Sequence, residues 1–222
     1  SNTGQNAGTA GADIHLPSQW DQQDGSQAII AGIIDTGIDW GHEDLVDNIW
    51  QNLAEDADGD GHTIEFINGA WELDPGDLNG NDDDGNGYVD DLVGWDFVND
   101  DNNPFDDNGH GTHVAGILGA KGNNGKGIAG VSWHTRMMAL KAFDDKGSGS
   151  VISIIPALEY ARMMGARITN DSWGGPAYSQ ALYDELALSN AAGMLNIVAA
   201  GNNGSNNSAT PTYPGSFDLS NV

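Results

Sequence analysis

The sequence contains no cysteine, no Lys or Arg before Lys121 and no run of 18 apolar residues within its 222 positions. The absence of cysteine excludes a disulfide scaffold, a thiol nucleophile and a thiolate metal site. Only 7 basic side chains stand against 33 acidic ones, so the chain offers no basic face for phosphate, and we expect no nucleic-acid partner. An anionic membrane surface would repel it and no segment reaches membrane-spanning length, so we expect no membrane partner.

The net charge of −26 is concentrated in one part of the chain. Residues 43–107 hold 21 of the 33 acidic side chains, whereas residues 121–222 hold seven acidic and seven basic ones. The second half therefore has an ordinary charge balance, and 38% apolar residues overall are enough to build the core of one domain.

Apolar patterning outside the acidic block alternates between strands and helices. Short apolar runs predict buried strands and longer periodic segments predict helices. The predicted strands are 27–35, 135–143, 167–171 and 194–200, and the predicted helices are 111–120, 150–164 and 178–192. Strand–helix alternation of this kind favours an α/β fold, in which right-handed crossovers build a parallel sheet with helices on its faces.

Three polar residues, Asp35, Ser172 and Asn202, follow predicted strands. Ligand binding and catalysis gather at the carboxyl ends of the strands in such sheets. A fixed carboxylate such as Asp35 can hold an imidazole in one tautomer, and His110 begins a helix of small residues where its ring can exchange a proton. The side-chain amide of Asn202 can donate to a developing oxyanion.

The segments IDTG at 34–37, HGTHVAG at 110–116 and VAAGN at 198–202, in this order, resemble the subtilisin-like serine proteases (peptidase S8, or subtilases). The resemblance implies a three-layer α/β sandwich with a central parallel sheet, and a serine endopeptidase that cleaves polypeptides through an Asp-His-Ser triad. It implies that Asp35 orients the imidazole, that His110 is the general base and then the acid, and that Asn202 is the oxyanion donor.

The same resemblance implies a substrate cleft. Ser172, Trp173 and Gly174 match one wall of the family's cleft, and the segment Gly147-Ser148-Gly149 matches the facing one. A peptide held between them would pair with the main chain as an added strand. We expect residues 1–26 to be an N-terminal segment of the mature chain and residues 27–222 to be a partial catalytic domain. We also expect a secreted bacterial monomer from which any signal peptide and propeptide have been removed.

The nucleophile of the family is not in this sequence. It belongs to a Gly-Thr-Ser type of segment some sixty to seventy residues beyond the oxyanion Asn in the family, and no Gly-Thr-Ser occurs in these 222 residues. We therefore expect a chain and a fold that are incomplete at the C-terminus, and an inactive fragment of an active parent.

The acidic insert, about 50–107, has the spacing of calcium-binding loops. Oxygen-bearing side chains at alternate positions around glycine turns suit Ca²⁺. The predicted ligands are Asp82, Asp84, Asn86, the carbonyl of Tyr88, Asp90 and Asp91 in one loop, Asp56, Asp58 and Asp60 in a second, and Asp44 at a position that the family uses. The alternative is a solvated acidic loop or a salt-adapted surface, although the neutral second half argues against salt adaptation.

Two other functions are compatible with parts of the sequence. One is a non-catalytic calcium-binding or peptide-binding module of the same fold that has lost its nucleophile. The other is an unrelated α/β hydrolase or nucleotide enzyme, against which the sequence lacks a G-x-G-x-x-G or G-x-x-x-x-G-K-[ST] phosphate loop and a G-x-S-x-G elbow.

Overall fold

The computed structural model describes Thr9, Ile14 and residues 16–222, and the remainder of the predicted segment 1–26 lies outside the described residues. A short 3₁₀ helix at Val46–Asn48 accompanies eleven other elements in the described part of the chain. In chain order these are α1 (Pro17–Trp20), β1 (Gly25–Asp35), β2 (Ile64–Ile67), β3 (Ala70–Leu73), β4 (Gly94–Asp96), α2 (His110–Gly119), β5 (His134–Lys141), α3 (Val151–Met163), β6 (Ile168–Asp171), α4 (Gln180–Ala191) and β7 (Leu195–Val198).

The centre of the fold is a five-stranded parallel sheet with the strand order β4-β5-β1-β6-β7. The middle strand, β1, pairs in parallel with β5 on one side and with β6 on the other. Parallel strands present their carboxyl ends at one edge, so Asp35 and the residues after β6 and β7 face the same side of the molecule. The predicted α/β class with a central parallel sheet is confirmed.

Helices cover both faces of this sheet and create two apolar cores. Ile33 of β1 packs on the face that carries α2, together with Met137 and Ala139 of β5. Its neighbour Ile34 points to the opposite face, where α3 and α4 supply Leu158 and Leu186, among others. Burial on both faces explains the apolar run in the second half of β1, at 31–34, and each buried isoleucine contributes roughly 1.5–3 kcal/mol.

The seven elements predicted from patterning are present, with ends that differ by at most two residues. The acidic insert contains structure that patterning did not indicate. Strands β2 and β3 form an antiparallel hairpin, and β4 pairs in parallel with the end of β5. The insert is therefore built into one edge of the main sheet. No described helix combines the length and apolar character needed to cross a bilayer.

Candidate active site

A carboxylate and an imidazole meet at the carboxyl end of β1. Asp35 is the last residue of the strand and is buried, and its Oδ1 lies 2.7 Å from Nδ1 of His110, the first residue of α2. The His110 side chain is 53% exposed. A buried carboxylate in this position favours the tautomer with the proton on Nδ1, which leaves Nε2 free to accept a proton. The structure thus brings together the two residues predicted to form the acid–base pair.

Asp106, which sequence reasoning missed, joins the strand end to the start of α2. Its Oδ1 accepts from the Thr36 hydroxyl at 2.8 Å and from the Gly109 N–H, while its Oδ2 accepts from the Thr112 hydroxyl at 2.6 Å. Burial alone would raise the pKa of Asp106, but the bonds from Thr112 and the main-chain N–H groups outweigh it and lower that pKa. The carboxylate therefore stays charged and fixes His110 relative to Asp35. Asp106 lies three residues before the N-cap Gly109, so the usual N-cap preference for Asp does not identify it from the sequence.

The turn after Asp35 is held from the other side by Lys141, a fully buried lysine that the sequence did not single out. Its Nζ donates to the Thr36 carbonyl at 2.8 Å and to Asp107 Oδ1 at 2.6 Å. Two glycines allow the close approach of turn and helix. Gly37 has a φ of 107°, and a Cβ added at Gly111 would lie 2.1 Å from the Gly37 carbonyl oxygen. These contacts explain why glycine stands at 37, two residues after Asp35, and at 111, directly after His110.

A cleft of about 560 Å³ opens beside the pair. Of the predicted substrate-binding residues, those that line it together with Asp35 and His110 are Gly147, Gly149, Ser172, Trp173 and Gly174. Within residues 16–222 no hydrogen bond engages the main-chain N–H and C=O groups of 172–174, so this wall has unpaired groups that an extended peptide can use. The ring of Trp173 packs against Phe143, with 5.9 Å between ring centroids.

Ser148 and Asn202 do not line this cleft. The main chain of Ser148 is engaged by Asp144, whose side chain accepts from its N–H and whose N–H donates to its carbonyl. Asn202 is exposed and lines a neighbouring cavity of about 640 Å³, which shares residues 172–176 with the cleft. Asn202 and His110 therefore line two cavities that share the wall 172–176, and the oxyanion role of Asn202 stays a prediction.

A second buried acid, Asp171, ends β6 beneath the wall formed by 172–174. Its Oδ2 accepts from the Thr169 hydroxyl at 2.8 Å, and its Oδ1 has no hydrogen-bond partner. Burial raises the pKa of Asp171 to about 7, and the negative charge of Asp35 adds to this shift. Among residues 16–222 no cationic side chain offsets this charge, which is consistent with a pKa of about 7 for Asp171.

The acidic insert places carboxylates close enough together to hold a metal ion. One group comprises Glu55, Asp84 and Asp91, with one oxygen of each within 4.8 Å of the others. Glu55 is fully buried and its Oε2 has no hydrogen-bond partner. Burial raises the pKa of Glu55 to about 7 and that of Asp91 to about 6. Buried, uncompensated carboxylates of this kind fit a hard cation.

The other residues predicted in loop 82–91 have different contacts. Asp82 accepts from the N–H groups of the glycine turn, above all from Gly87, and these bonds lower its pKa. Asp90 accepts from the N–H groups of 79 and 80, and the Asn86 amide donates to both Asp84 and Asp91. The Tyr88 ring packs edge-on against Trp95 and other aromatic side chains. Of the carboxylates predicted in this loop, Asp84 and Asp91 belong to the metal-ligand group, and Glu55 was missed because it lies 29 residues before Asp84.

The second predicted loop also converges, since oxygens of Asp56, Asp58 and Asp60 lie within 4.8 Å of one another. Asp44 is buried and accepts from the Asn124 amide at 2.7 Å and from the Ile128 N–H at 2.9 Å. It belongs to none of the possible metal-ligand groups found in the described part of the chain. Asp44 thus contacts the segment 124–128, and no second carboxylate of the described residues is grouped with it.

Comparisons with known proteins show which proteins this chain is similar to. Subtilisin-like protease 1 of Plasmodium falciparum (isolate 3D7) is 37% identical over 179 residues, which are 81% of this chain and 23% of that protein. The thermophilic serine proteinase of Bacillus sp. (strain AK1) is 34% identical over 192 residues, 86% of this chain and 37% of that protein. Thermitase of Thermoactinomyces vulgaris is 30% identical over 201 residues, 90% of this chain and 56% of that protein.

The chain thus spans between about a quarter and about half of the length of these relatives. Its residues 26–222 match the subtilase family along almost the whole sequence. The Asp35–His110 pair lies at the end of the central strand, within the part of the chain that matches this family. The chain belongs to the subtilase (peptidase S8) family of subtilisin-like serine proteases.

Proposed function

We propose that this chain carries the acid–base pair and part of the substrate cleft of a serine endopeptidase. The observation that supports this most directly is the 2.7 Å contact between a buried Asp35 and a half-exposed His110 at the mouth of an open cleft. An imidazole held in this way can remove a proton from a serine hydroxyl and later return it to the leaving amine.

In the proposed reaction the serine oxygen attacks the peptide carbonyl carbon while its proton moves to His110 Nε2. Asp35 stabilises the imidazolium that forms, and the side-chain amide of Asn202 donates to the developing oxyanion. The imidazolium then protonates the departing amine, and water hydrolyses the acyl-enzyme in a second cycle of the same proton transfers. We propose that the serine belongs to sequence that follows Val222, since the relatives are longer and no Gly-Thr-Ser occurs here.

The proposed substrate is an extended polypeptide. Its main chain would pair with the unpaired groups of 172–174 on one side and with Gly147 and Gly149 on the other. Trp173 and Phe143 give this part of the cleft an apolar surface for a substrate side chain. Main-chain pairing binds any sequence, so side-chain preference would arise from pockets such as this one.

We further propose that Glu55, Asp84 and Asp91 hold a structural Ca²⁺ ion. The supporting observation is the unpartnered Oε2 of the fully buried Glu55, which points to a missing positive charge. Calcium supplies charge compensation here and cross-links the segment at 55 to the loop at 84–91. Millimolar calcium outside cells would be sufficient for a site of modest affinity, which accords with the predicted secretion.

Hydrolysis of a chromogenic peptide tests the catalytic proposal, with the chain expressed together with the sequence that follows it. His110→Ala is expected to lower kcat by about 10⁶-fold, a loss typical of this family of proteases. His113→Ala is the matched control, because His113 is an exposed residue of the same helix whose ring makes no hydrogen bond or ion pair within residues 16–222. Equal losses in the two variants, or full activity in His110→Ala, would contradict the proposal. Peptide binding without any hydrolysis in the unmodified protein would favour the non-catalytic module.

A further inference from the structure

We propose that a cavity beside the β2–β3 hairpin, here called the aromatic cavity, binds a lysine or arginine side chain of a polypeptide. Its volume is about 440 Å³, which is within the range of ligand-binding sites. The aromatic cavity is lined by four aromatic rings and two carboxylates, those of Trp40, Phe66, Trp71, Phe105, Asp39 and Glu43. None of the described residues that line it also lines the cleft beside His110, so this inference does not depend on proteolytic activity.

The hairpin carries two of the rings away from the core. Its strands are joined by Asn68 and Gly69, which both have positive φ, as a tight two-residue turn requires. Phe66 and Trp71 are cross-strand partners next to this turn. Two positions before Phe66, on the same face of the strand, Ile64 is buried in the core, whereas Phe66 is 61% exposed. A ligand in the aromatic cavity would remove apolar surface of Phe66 from water, which is favourable.

The ring contacts leave aromatic faces that a ligand can approach. Phe66 packs edge-on against Trp71, with 5.2 Å between ring centroids. Trp40 packs edge-on against Phe105 at 6.5 Å. An edge-on contact occupies one face of one ring, so each pair retains other faces. The face of an aromatic ring attracts ammonium and guanidinium groups, and tryptophan attracts them most strongly. The rings therefore favour a cation over a neutral apolar group.

A carboxylate without a partner adds selectivity for positive charge. Asp39 is half-buried, and its main-chain N–H donates to the Thr112 hydroxyl at 2.8 Å. Within residues 16–222 its side chain makes no hydrogen bond or ion pair. A Cβ added at Gly41 would lie 3.9 Å from Asp39 Oδ1 and 3.3 Å from Trp71 Cβ, so the carboxylate and the tryptophan flank one backbone position. A bound cation can therefore contact an aromatic face and this carboxylate together.

The charges around the aromatic cavity also favour a basic ligand. Of the described residues that line it, Lys126 is the one that is basic, and its Nζ lies 2.9 Å from Glu43 Oε2. This ion pair compensates Glu43 and leaves Asp39 without a cation. Residues 43–107, which supply most of the lining, hold 21 of the 33 acidic side chains. Their field attracts a basic segment of a polypeptide and repels an acidic one.

The open rim indicates that the cation is attached to a longer chain. Phe66 and Phe105 are 61% and 43% exposed, so a side chain can enter while its main chain stays outside. Lysine and arginine have long apolar stems that can cover these rings while the charged end reaches the carboxylate. A small free cation such as choline would cover less of the two rings.

NMR of the tryptophan indole N–H groups tests the proposal at fixed salt and calcium. The probes are the Nα-acetyl methylamides of lysine, arginine and norleucine, the last of which lacks the charged group. The lysine and arginine probes are expected to shift the Trp71 resonance, assigned with Trp71→Phe, and to bind about fivefold or more tightly than the norleucine probe. Trp20 lies outside the aromatic cavity, and its resonance should not move. An unmoved Trp71 resonance, or equal affinity for norleucine, would overturn the inference.

Two variants test the residues themselves. Asp39→Asn should weaken the lysine probe about threefold or more and leave the norleucine probe unchanged. Glu72→Gln is the matched control, because it removes the same charge from an exposed residue on the opposite face of the hairpin. Phe66→Ala changes an exposed side chain, so the fold should persist, as thermal melting would verify, while all three probes bind more weakly.

Three results of these measurements would count against the aromatic cavity. Equal affinity of Asp39→Asn and Glu72→Gln for the lysine probe would overturn the inference, as would unchanged affinities in Phe66→Ala. Choline that binds more tightly than the lysine and arginine probes would overturn the assignment to a polypeptide. Each of these results would leave the catalytic proposal unaffected, because the cleft has its own lining residues.

Discussion

Replacing Asp171 with asparagine should make the protein less sensitive to alkaline pH. Asp171 is fully buried at the end of β6, and burial raises its pKa from 3.8 to about 7. An acid whose pKa is higher in the folded state binds its proton more tightly there. Its contribution to stability is therefore complete below about pH 4 and is lost as the pH rises toward 7.

The size of this effect follows from the shift itself. Three pKa units correspond to about 4 kcal/mol of unfolding free energy between acidic and alkaline pH, and most of that change lies between pH 5 and pH 8. Asp171→Asn keeps the shape of the side chain and its bond from Thr169 but cannot ionise. The unfolding free energy of the variant minus that of the unmodified chain should therefore increase by about 2–3 kcal/mol from pH 5 to pH 8.

Urea unfolding at the two pH values measures this difference. The acidic insert also titrates, but it does so in both proteins and cancels when they are compared. Asp218→Asn is the matched control, because Asp218 is an exposed acid, and its difference from the unmodified chain should not change with pH. The reasoning would be refuted if the unfolding free energy of Asp171→Asn minus that of the unmodified chain changed by less than about 0.5 kcal/mol between pH 5 and pH 8.

Two further substitutions test how the pair at the strand end is positioned. Gly111→Ala should destabilise the protein by about 1–3 kcal/mol, because the added methyl group would collide with a main-chain carbonyl 2.1 Å away. Gly116→Ala on the same helix is the control, because the nearest atom to the added carbon is 3.6 Å away and thermal melting should show no loss of stability. Equal losses of stability in the two variants would argue against the steric explanation. Lys141→Met should lower the unfolding free energy by about 1–3 kcal/mol, because the Thr36 carbonyl loses its buried donor, and an unchanged urea midpoint would contradict this role.

The main elements of the fold could be predicted because their signals are local. The second half of β1 is a continuous apolar run because it is buried on both faces, and the helices on either side carry periodic apolar residues. Strand β4 could not be predicted in the same way. It has only three residues, within an Asp-rich and Asn-rich segment, and it exists because it pairs with β5 more than forty positions away.

The same difference between local and long-range signals separates the functional residues that were predicted from those that were missed. Asp35 and His110 were predictable because a strand end, a helix start and their glycines are each visible in a short stretch of sequence. Glu55, Lys141 and Asp171 were missed because their importance arises from burial and from partners distant in the chain. Regular spacing predicts that a loop can bind a cation, but it does not determine which carboxylates turn inward.

Asp106 has a consequence for how this chain tolerates variation in length. It binds the strand end through Thr36 and the helix start through Thr112, so the position of His110 is set by residues that directly precede it. The 74 residues between Asp35 and His110 can therefore lengthen or shorten at their loops without moving the imidazole. The entropic cost of a longer loop rises only with the logarithm of its length. New surface features can accordingly be inserted between two parts of one reaction centre while that centre keeps its geometry.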